Sequence, residues 1–435
     1  MKIHGEWYFP DLSNKRFYGT LDSEHKNIFK LNLLANLPKF KDTIKFPIVY
    51  GKTAEGNITL LDCLWKGGYK ANYESGIVEN KLSCRSIIRE HCFTTVEDLK
   101  FNDFKFNFDG LKEWMDSPSL SESYGHNVIS AKYENPETIH IEIRNGMHLT
   151  VEFEMDSYSA EKNDVIFQIN QSVYLKIHNE RPKEIDCFLT LRNQIINFFS
   201  LVINRNIESY IQRFFSNSIL INPNSEIKKE LVFFENTKAK INEFPKNHIF
   251  PFKYNDINNL NETLNLWFEK YEDLKPAINI FQYFLKENLN VENKFILVCQ
   301  ALETFHARFM EENEEYSDTE TGLFGSHFKV RIKRLLRFYY CNITVKTFSK
   351  SDLQEFPEKI MNTRHYFTHF SRKRESKKWN RTSLYTNTPK LILLLHSLLL
   401  NEIGVSTDVI KGYSEKMYFG EYKKIKDISN YNDCS

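Results

Sequence analysis

The stretch Asn362-Thr363-Arg364-His365-Tyr366-Phe367-Thr368-His369-Phe370 carries the residue types that phosphate chemistry needs. Arg364 and His369 are separated by four residues, and His365 follows the arginine directly. A guanidinium fork neutralises a phosphate and stabilises the extra charge of a pentacoordinate phosphorus. An imidazole that titrates near neutrality can take or give the proton of an attacking or leaving oxygen. Such a pair needs no metal when the substrate brings its own nucleophile. RNA brings one in its 2′-hydroxyl and DNA does not, so the pairing points to RNA. Taken alone, the same residues also suit a surface arginine, Arg364, and a helix-capping histidine, His369, with His365 beside them.

Cations crowd in behind these residues. From Lys359 to Arg381 there are eight Lys/Arg against one acid, Glu375, a local balance of +7 in a chain of net charge +1. Lys329, Arg331, Lys333, Arg334 and Arg337 add five more with no acid between them. Arg372, Lys373, Arg374, Lys377, Lys378 and Arg381 are the candidates for contact with an RNA backbone. Wholesale binding to nucleic acid or to an anionic membrane is not written in the bulk charge, so any such surface must be local.

The spacing sets a geometric demand on the element that carries it. On a straight α-helix five positions turn through about 140° and rise about 7.5 Å, so Arg364 and His369 do not share a face. They converge if the arginine lies at a loop-to-helix junction, or if two copies meet across a two-fold axis. The surrounding sequence is helical. Val291, Phe295, Val298, Leu302, Phe305 and Phe309 step by 4, 3, 4, 3 and 4, one face of a long amphipathic helix. Glu311 to Glu320 holds six acids in ten residues and reads as a solvated loop. Val330–Tyr340 interleaves basic and apolar residues at helical spacing. Pro389 is expected to open a last helix, from Lys390 to about Ile403, that stops at Gly404.

The first half reads differently. Ile139, Ile141 and Ile143, then Val151, Phe153 and Met155, alternate with polar residues and are joined through Asn145-Gly146, a hairpin signal. Val165, Phe167 and Ile169, then Val173, Leu175 and Ile177, continue the period of two. Short apolar runs at 28–33, 46–50 and 58–61 predict further strands, in a sandwich or barrel-like arrangement over about 1–180. Residues 185–206 suit a helix, and no motif marks the fold between about 180 and 250. The expected class is α+β: a β-rich domain over 1–250, then an all-α domain over 255–425.

Length and composition bound the remainder. At 435 residues, with 41% hydrophobic and 26% charged, the chain suits two or three folded domains. No apolar run reaches the roughly 20 residues that span a bilayer, and the opening Met1-Lys2-Ile3-His4-Gly5 is not a secretory signal. Seven scattered cysteines suit reduced thiols in cytoplasm. Cys84, His91 and Cys92 cluster but lack paired zinc-ligand spacing, so no metal or cofactor is expected.

The Arg364–His369 spacing, late in a helical domain and ahead of a further apolar helix, resembles the R-x4-H motif of HEPN ribonucleases. The segment Ala301-Leu302-Glu303-Thr304-Phe305-His306 resembles the one preceding the motif in the ApeA-type branch. Gly5-Glu6-Trp7-Tyr8-Phe9-Pro10 and Tyr18-Gly19-Thr20-Leu21 resemble the opening of the ApeA N-terminal domain. The resemblance implies a β-rich N-terminal sensing domain joined to a HEPN helical bundle, in an abortive anti-phage defence protein. It implies a metal-independent endoribonuclease formed as a homodimer or larger assembly and acting on RNA such as tRNA, with catalytic roles for Arg364 and His369 and with His365 orienting the site or binding phosphate, while the N-terminal domain reads a phage-derived trigger or restrains the nuclease. Two other readings share these residues: a non-catalytic HEPN module that binds RNA or protein, and an interaction protein centred on the β-domain.

Overall fold

The computed structural model describes the chain apart from residues 1, 13–14, 23–28, 35–43, 71–77, 118–119, 126–127, 144–145, 162–165, 236–243, 246, 311–327, 343–349, 371 and 418–435. The acidic run 311–320 and Val165 therefore lie outside the described residues. Two compact units emerge. One holds Met1–Leu111, Pro118–Arg192 and Glu208–Glu243; the other holds Lys112–Ser117, Asn193–Ile207 and Phe244–Ser435. This division departs from a single cut near 250, because two short segments of the first half belong to the second unit.

The first unit is built on antiparallel strands. β1 (Lys2–Phe9), β2 (Lys15–Asp22), β3 (Phe29–Leu34), β4 (Lys45–Thr53), β5 (Gly56–Lys70) and β6 (Val78–Cys84) close into a six-stranded barrel, in the order β5-β4-β1-β2-β3-β6 with β6 returning to β5. Of the two expected arrangements, sandwich or barrel, these strands form the barrel. Alternation fills its interior: Trp7, Phe9, Leu21, Leu31, Leu33, Val49, Ile58, Leu60, Cys63, Leu82 and Cys84 are buried in one cluster. Cys84 is thus a core side chain. Close approach decides two glycines here. A Cβ on Gly51 would stand 2.5 Å from the Trp7 ring, and one on Gly19 would stand 2.4 Å from the Asn32 carbonyl oxygen.

The sheet continues beyond the barrel through β7 (Ser86–Arg89), β15 (Leu231–Glu235), β14 (Ser209–Phe215), β8 (Lys100–Phe108), β13 (Ile166–Glu184), β12 (Met147–Glu161) and β11 (Ile139–Ile143). β9 (Leu120–Gly125) and β10 (Val128–Tyr133) form a separate hairpin. β11 and β12 pair as the alternation predicts, Ile143 opposite Met147, so the connection is three residues long, with Gly146 in the left-handed region. The two apolar runs at 167–169 and 173–177 lie on one long strand, β13. Where no motif marks a fold, between 180 and 250, β14 and β15 join the same sheet. Phe101, Phe104, Phe188 and Phe214 pack their rings within this unit, Phe104 and Phe214 at 4.4 Å between centroids.

The second unit is helical. It takes the later part of α2 (Ile185–Ile203) and the short α1 (Leu111–Met115) from Lys112 on. To these it adds α3 (Leu260–Lys286), α4 (Val291–Phe309), α5 (Phe328–Asn342), α6 (Lys350–His369), α7 (Arg381–Glu402) and α8 (407–417). Trp114 meets Phe199 edge-on at 5.1 Å, and Trp267 meets Phe198 at 5.6 Å. The α4 stripe buries Val291, Phe295, Val298, Leu302 and Phe305 as its spacing requires. One expectation fails. Pro389 lies inside α7, which starts at Arg381 because the Asn380 side chain accepts from the Ser383 amide and caps it there. Gly404 does end that helix, at φ +83°. Among the described residues no helix is long and apolar enough to cross a membrane.

Candidate active site

α6 carries the whole motif. Arg364 sits well inside the helix and His369 is its last residue, so the arginine is not at a loop-to-helix junction. The 140° offset between the two positions therefore stands within one chain. Among the described residues no hydrogen bond joins Arg364 to His369. The structure brings together different pairs.

Arg364 turns toward α4. Its Nη2 donates to Glu303 Oε2 at 2.7 Å, and the other carboxylate oxygen faces Arg331 Nη1 of α5 at 3.5 Å. The Phe328 ring lies under the Arg364 guanidinium, 4.2 Å from centroid to Cζ. Glu303 stands one turn after Cys299, a fully buried thiol that burial pushes well above its ordinary range. The glutamate thus sits at the rim of the core, 27% exposed, and holds two arginines, Arg331 at 15% and Arg364 at 31% exposure. A guanidinium has five N–H donors in a fixed fork. One edge of Arg364 is held by Glu303 and the plane lies on Phe328, and the side chain remains 31% exposed. Glu303, Arg331 and Phe328 are the neighbours of the motif arginine that the motif alone does not indicate. The resemblance around 301–306 and the cation run 329–337 are the signals that contain two of them.

The histidines form their own pair. His365 and His369, one turn apart, are both exposed, with ring centroids 4.7 Å apart. A second pair runs beside them: Tyr366 and Phe370 at 5.4 Å. So the end of α6 presents two short aromatic tracks, one of imidazoles and one of hydrocarbon rings.

The basic segment folds back on the same helix. Arg372–Arg374 make a 3-10 turn. Arg374 Nη1 donates to Asn362 Oδ1 at 2.5 Å, and the Trp379 amide donates to Thr363 Oγ1 at 2.9 Å. Asn362 and Thr363, both buried, directly precede Arg364. Trp379 is itself held between Phe295 and Phe356, at 5.6 and 5.5 Å. This hook fixes α6 from behind and sets Arg374 apart from its neighbours, since that cation is engaged with Asn362. Lys378 lies over the Tyr366 ring at 4.6 Å, and Arg381 over Tyr385 at 5.8 Å. Arg372, Lys373 and Lys377 point their charge to solvent.

Among the described residues no group of three His, Cys, Asp or Glu side chains could hold a metal ion. The groups around Arg364 are a second arginine, a single carboxylate and a phenyl ring, a set with more positive than negative charge.

Two family models match the chain, ApeA N-terminal domain 1 over residues 2–267 and Apea-like HEPN over residues 296–409. No curated protein and no solved structure matched it. The N-terminal match covers the barrel and the outer strands, and the HEPN match covers α4 through α7 with Glu303, Arg364 and His369. The chain belongs to the ApeA family, and its β-rich N-terminal domain joined to a HEPN domain is the architecture of a HEPN nuclease-type defence protein.

Proposed function

We propose that the protein is a metal-independent endoribonuclease of abortive anti-phage defence. Arg364 stabilises the phosphate and His369 transfers protons. The 2′-hydroxyl attacks the adjacent phosphorus, the 5′-oxygen leaves, and the products carry a 2′,3′-cyclic phosphate and a 5′-hydroxyl. His369 takes the proton of the nucleophile or gives one to the leaving oxygen, and His365, its ring centroid 4.7 Å away, orients it. The observation that carries this reading is the Arg364 guanidinium, gripped by Glu303 and Phe328 yet 31% exposed, on the helix that presents two solvent-facing imidazoles. Because Arg364 and His369 lie about 140° apart on one helix, a complete site forms when two copies place the arginine of one beside the histidine of the other. The active assembly is a homodimer or a multiple of it. The N-terminal domain reads a phage-derived trigger. Acting on RNA in the cell, tRNA among its targets, places the protein in the cytoplasm.

The test is a digest of total RNA with and without phage extract, followed by sequencing and chemical typing of the cleaved ends. Cyclic phosphate ends are expected, and EDTA should leave cleavage intact. His369→Ala should slow cleavage by roughly 10²–10⁴ with an unchanged circular dichroism spectrum. A folded His369→Ala protein that cuts at the wild-type rate, or inhibition by EDTA that magnesium reverses, overturns the reading.

A further inference from the structure

Phe370 is out of place for an ordinary helix stop. It directly follows His369 and ends α6 in the left-handed region, φ +51°, its amide donating to the Tyr366 carbonyl. That C-terminal position normally takes glycine, because a side chain there clashes with its own backbone. A bulky residue held in this conformation at a functional site is a strained feature that its surroundings must support. The ring gains little burial in return: it is 74% exposed, the most exposed of the large apolar side chains among the described residues.

Its setting explains why an aromatic is held there. Lys378 Nζ lies over the Tyr366 ring at 4.6 Å, and the Tyr366 ring faces Phe370 at 5.4 Å with 34° between the planes. Lys378, Tyr366 and Phe370 therefore form a short run of contacts that ends at a solvent-facing ring. Among the described residues no other ring lies against Phe370. The neighbouring residue on the chain is the proton-transferring His369, and Arg372, Lys373 and Lys377 stand exposed just beyond.

We propose that Phe370 is a stacking platform for one unpaired nucleobase of the RNA, next to the scissile phosphate. The proposal rests on the nuclease reading above and adds a substrate class to it: single-stranded or looped RNA whose base can be splayed out, since a base stacked in a duplex cannot reach the ring. The charge around the ring favours this occupant over a protein surface. A nucleobase arrives with its own phosphates for the three exposed cations Arg372, Lys373 and Lys377.

The experiment measures binding of a 2′-O-methyl oligoribonucleotide, which cannot be cleaved, as a single strand and as a duplex. Phe370→Gly removes the ring and also the backbone strain, so its thermal midpoint should be equal to or above that of wild type. Single-strand affinity should fall by about 10- to 100-fold, duplex affinity should hold, and Phe370→Trp should keep wild-type affinity. Loss of affinity in a protein that is no less stable cannot come from misfolding. Equal single-strand binding by wild type and Phe370→Gly overturns the platform and leaves the nuclease reading standing. Failure of wild type to bind either oligonucleotide overturns both. A change in sedimentation from dimer to monomer in Phe370→Gly overturns the platform in favour of a contact between copies.

Discussion

Each unit sets an arginine against a glutamate, and the two pairs are finished to different degrees. In the barrel unit Arg192 of α2 reaches Glu235 of β15 and also Gln212 of β14, and its side chain is 7% exposed. In the helical unit Arg364 reaches Glu303, but one glutamate there serves two arginines and the guanidinium remains 31% exposed. The first arrangement spends its donors inside the fold. The second holds a cation in a fixed plane with donors left over. The same residue types thus make a structural clamp in one place and, on the function proposed above, an anion site in the other, and the count of cations per carboxylate separates the two.

Exchange of consequences is the sharpest way to break this contrast. Arg364→Ala should lower the RNA cleavage rate by roughly 10²–10³, while a half-exposed pair contributes at most about 1 kcal/mol to stability. Arg192→Ala should do the reverse. It strands a Glu235 that is only 13% exposed and costs about 3 kcal/mol, read by urea denaturation, with single-turnover cleavage retained at a temperature where the protein is folded. Two variants that behave alike in both assays would erase the distinction.

Histidines sharpen the same lesson. His365 and His369 are open to solvent, whereas His396 of α7 is buried in the helical unit. There its Nε2 donates to the Leu201 carbonyl at 2.9 Å, the Tyr413 hydroxyl donates to its Nδ1 at 3.2 Å, and the Phe281 ring lies 4.5 Å away. Burial pushes its pKa down to about 4 from an ordinary 6.5. The unfolded chain therefore takes up the proton first as pH falls. Stability from neutral His396 is complete above about pH 6.5 and declines progressively down to about pH 4, by about 3 kcal/mol in all. Denaturation midpoints for wild type and His396→Gln between pH 7 and pH 4.5 should converge on acidification; parallel curves would mean that His396 is not held neutral by the fold.

The smallest effect concerns the open cations. Arg374 is engaged with Asn362, so the informative set is Arg372→Gln, Lys373→Gln and Lys377→Gln together. RNA binding should weaken, and its log–log salt slope should flatten by about 0.7 for each phosphate that is no longer neutralised. Saturated single-turnover cleavage should change less than affinity. An unchanged slope would assign these three to a solvated face.

How much of the molecule is legible in the sequence follows from how local each signal is. The α4 stripe and the β11–β12 alternation are set by neighbours within a few residues, and both can be read directly. Arg364 and His369 are legible as a spacing, but their partners are not. Glu303 is 61 residues upstream of Arg364, and only packing of α4 against α6 brings it to the guanidinium. β14 and β15 are short strands that follow a helix, and their pairing with β8 and β7 is long-range. The start of α7 is hidden because proline is the stronger punctuation mark on paper, while the capping hydrogen bond of Asn380 is the stronger one in the fold.

The two short segments that the helical unit draws from the first half of the chain bear on how such proteins can be inherited. Lys112–Ser117 and Asn193–Ile207 bring Trp114, Phe198, Phe199 and the Leu201 carbonyl, which serve Phe252, Trp267 and His396. A recombination event at codon 250 would hand a daughter gene a helical bundle without these pieces, and its sister a barrel trailing their bare aromatic faces. Lineages that trade sensing halves for new ones must therefore either cross over at several points or carry the borrowed segments along. The two halves of this gene are expected to descend together.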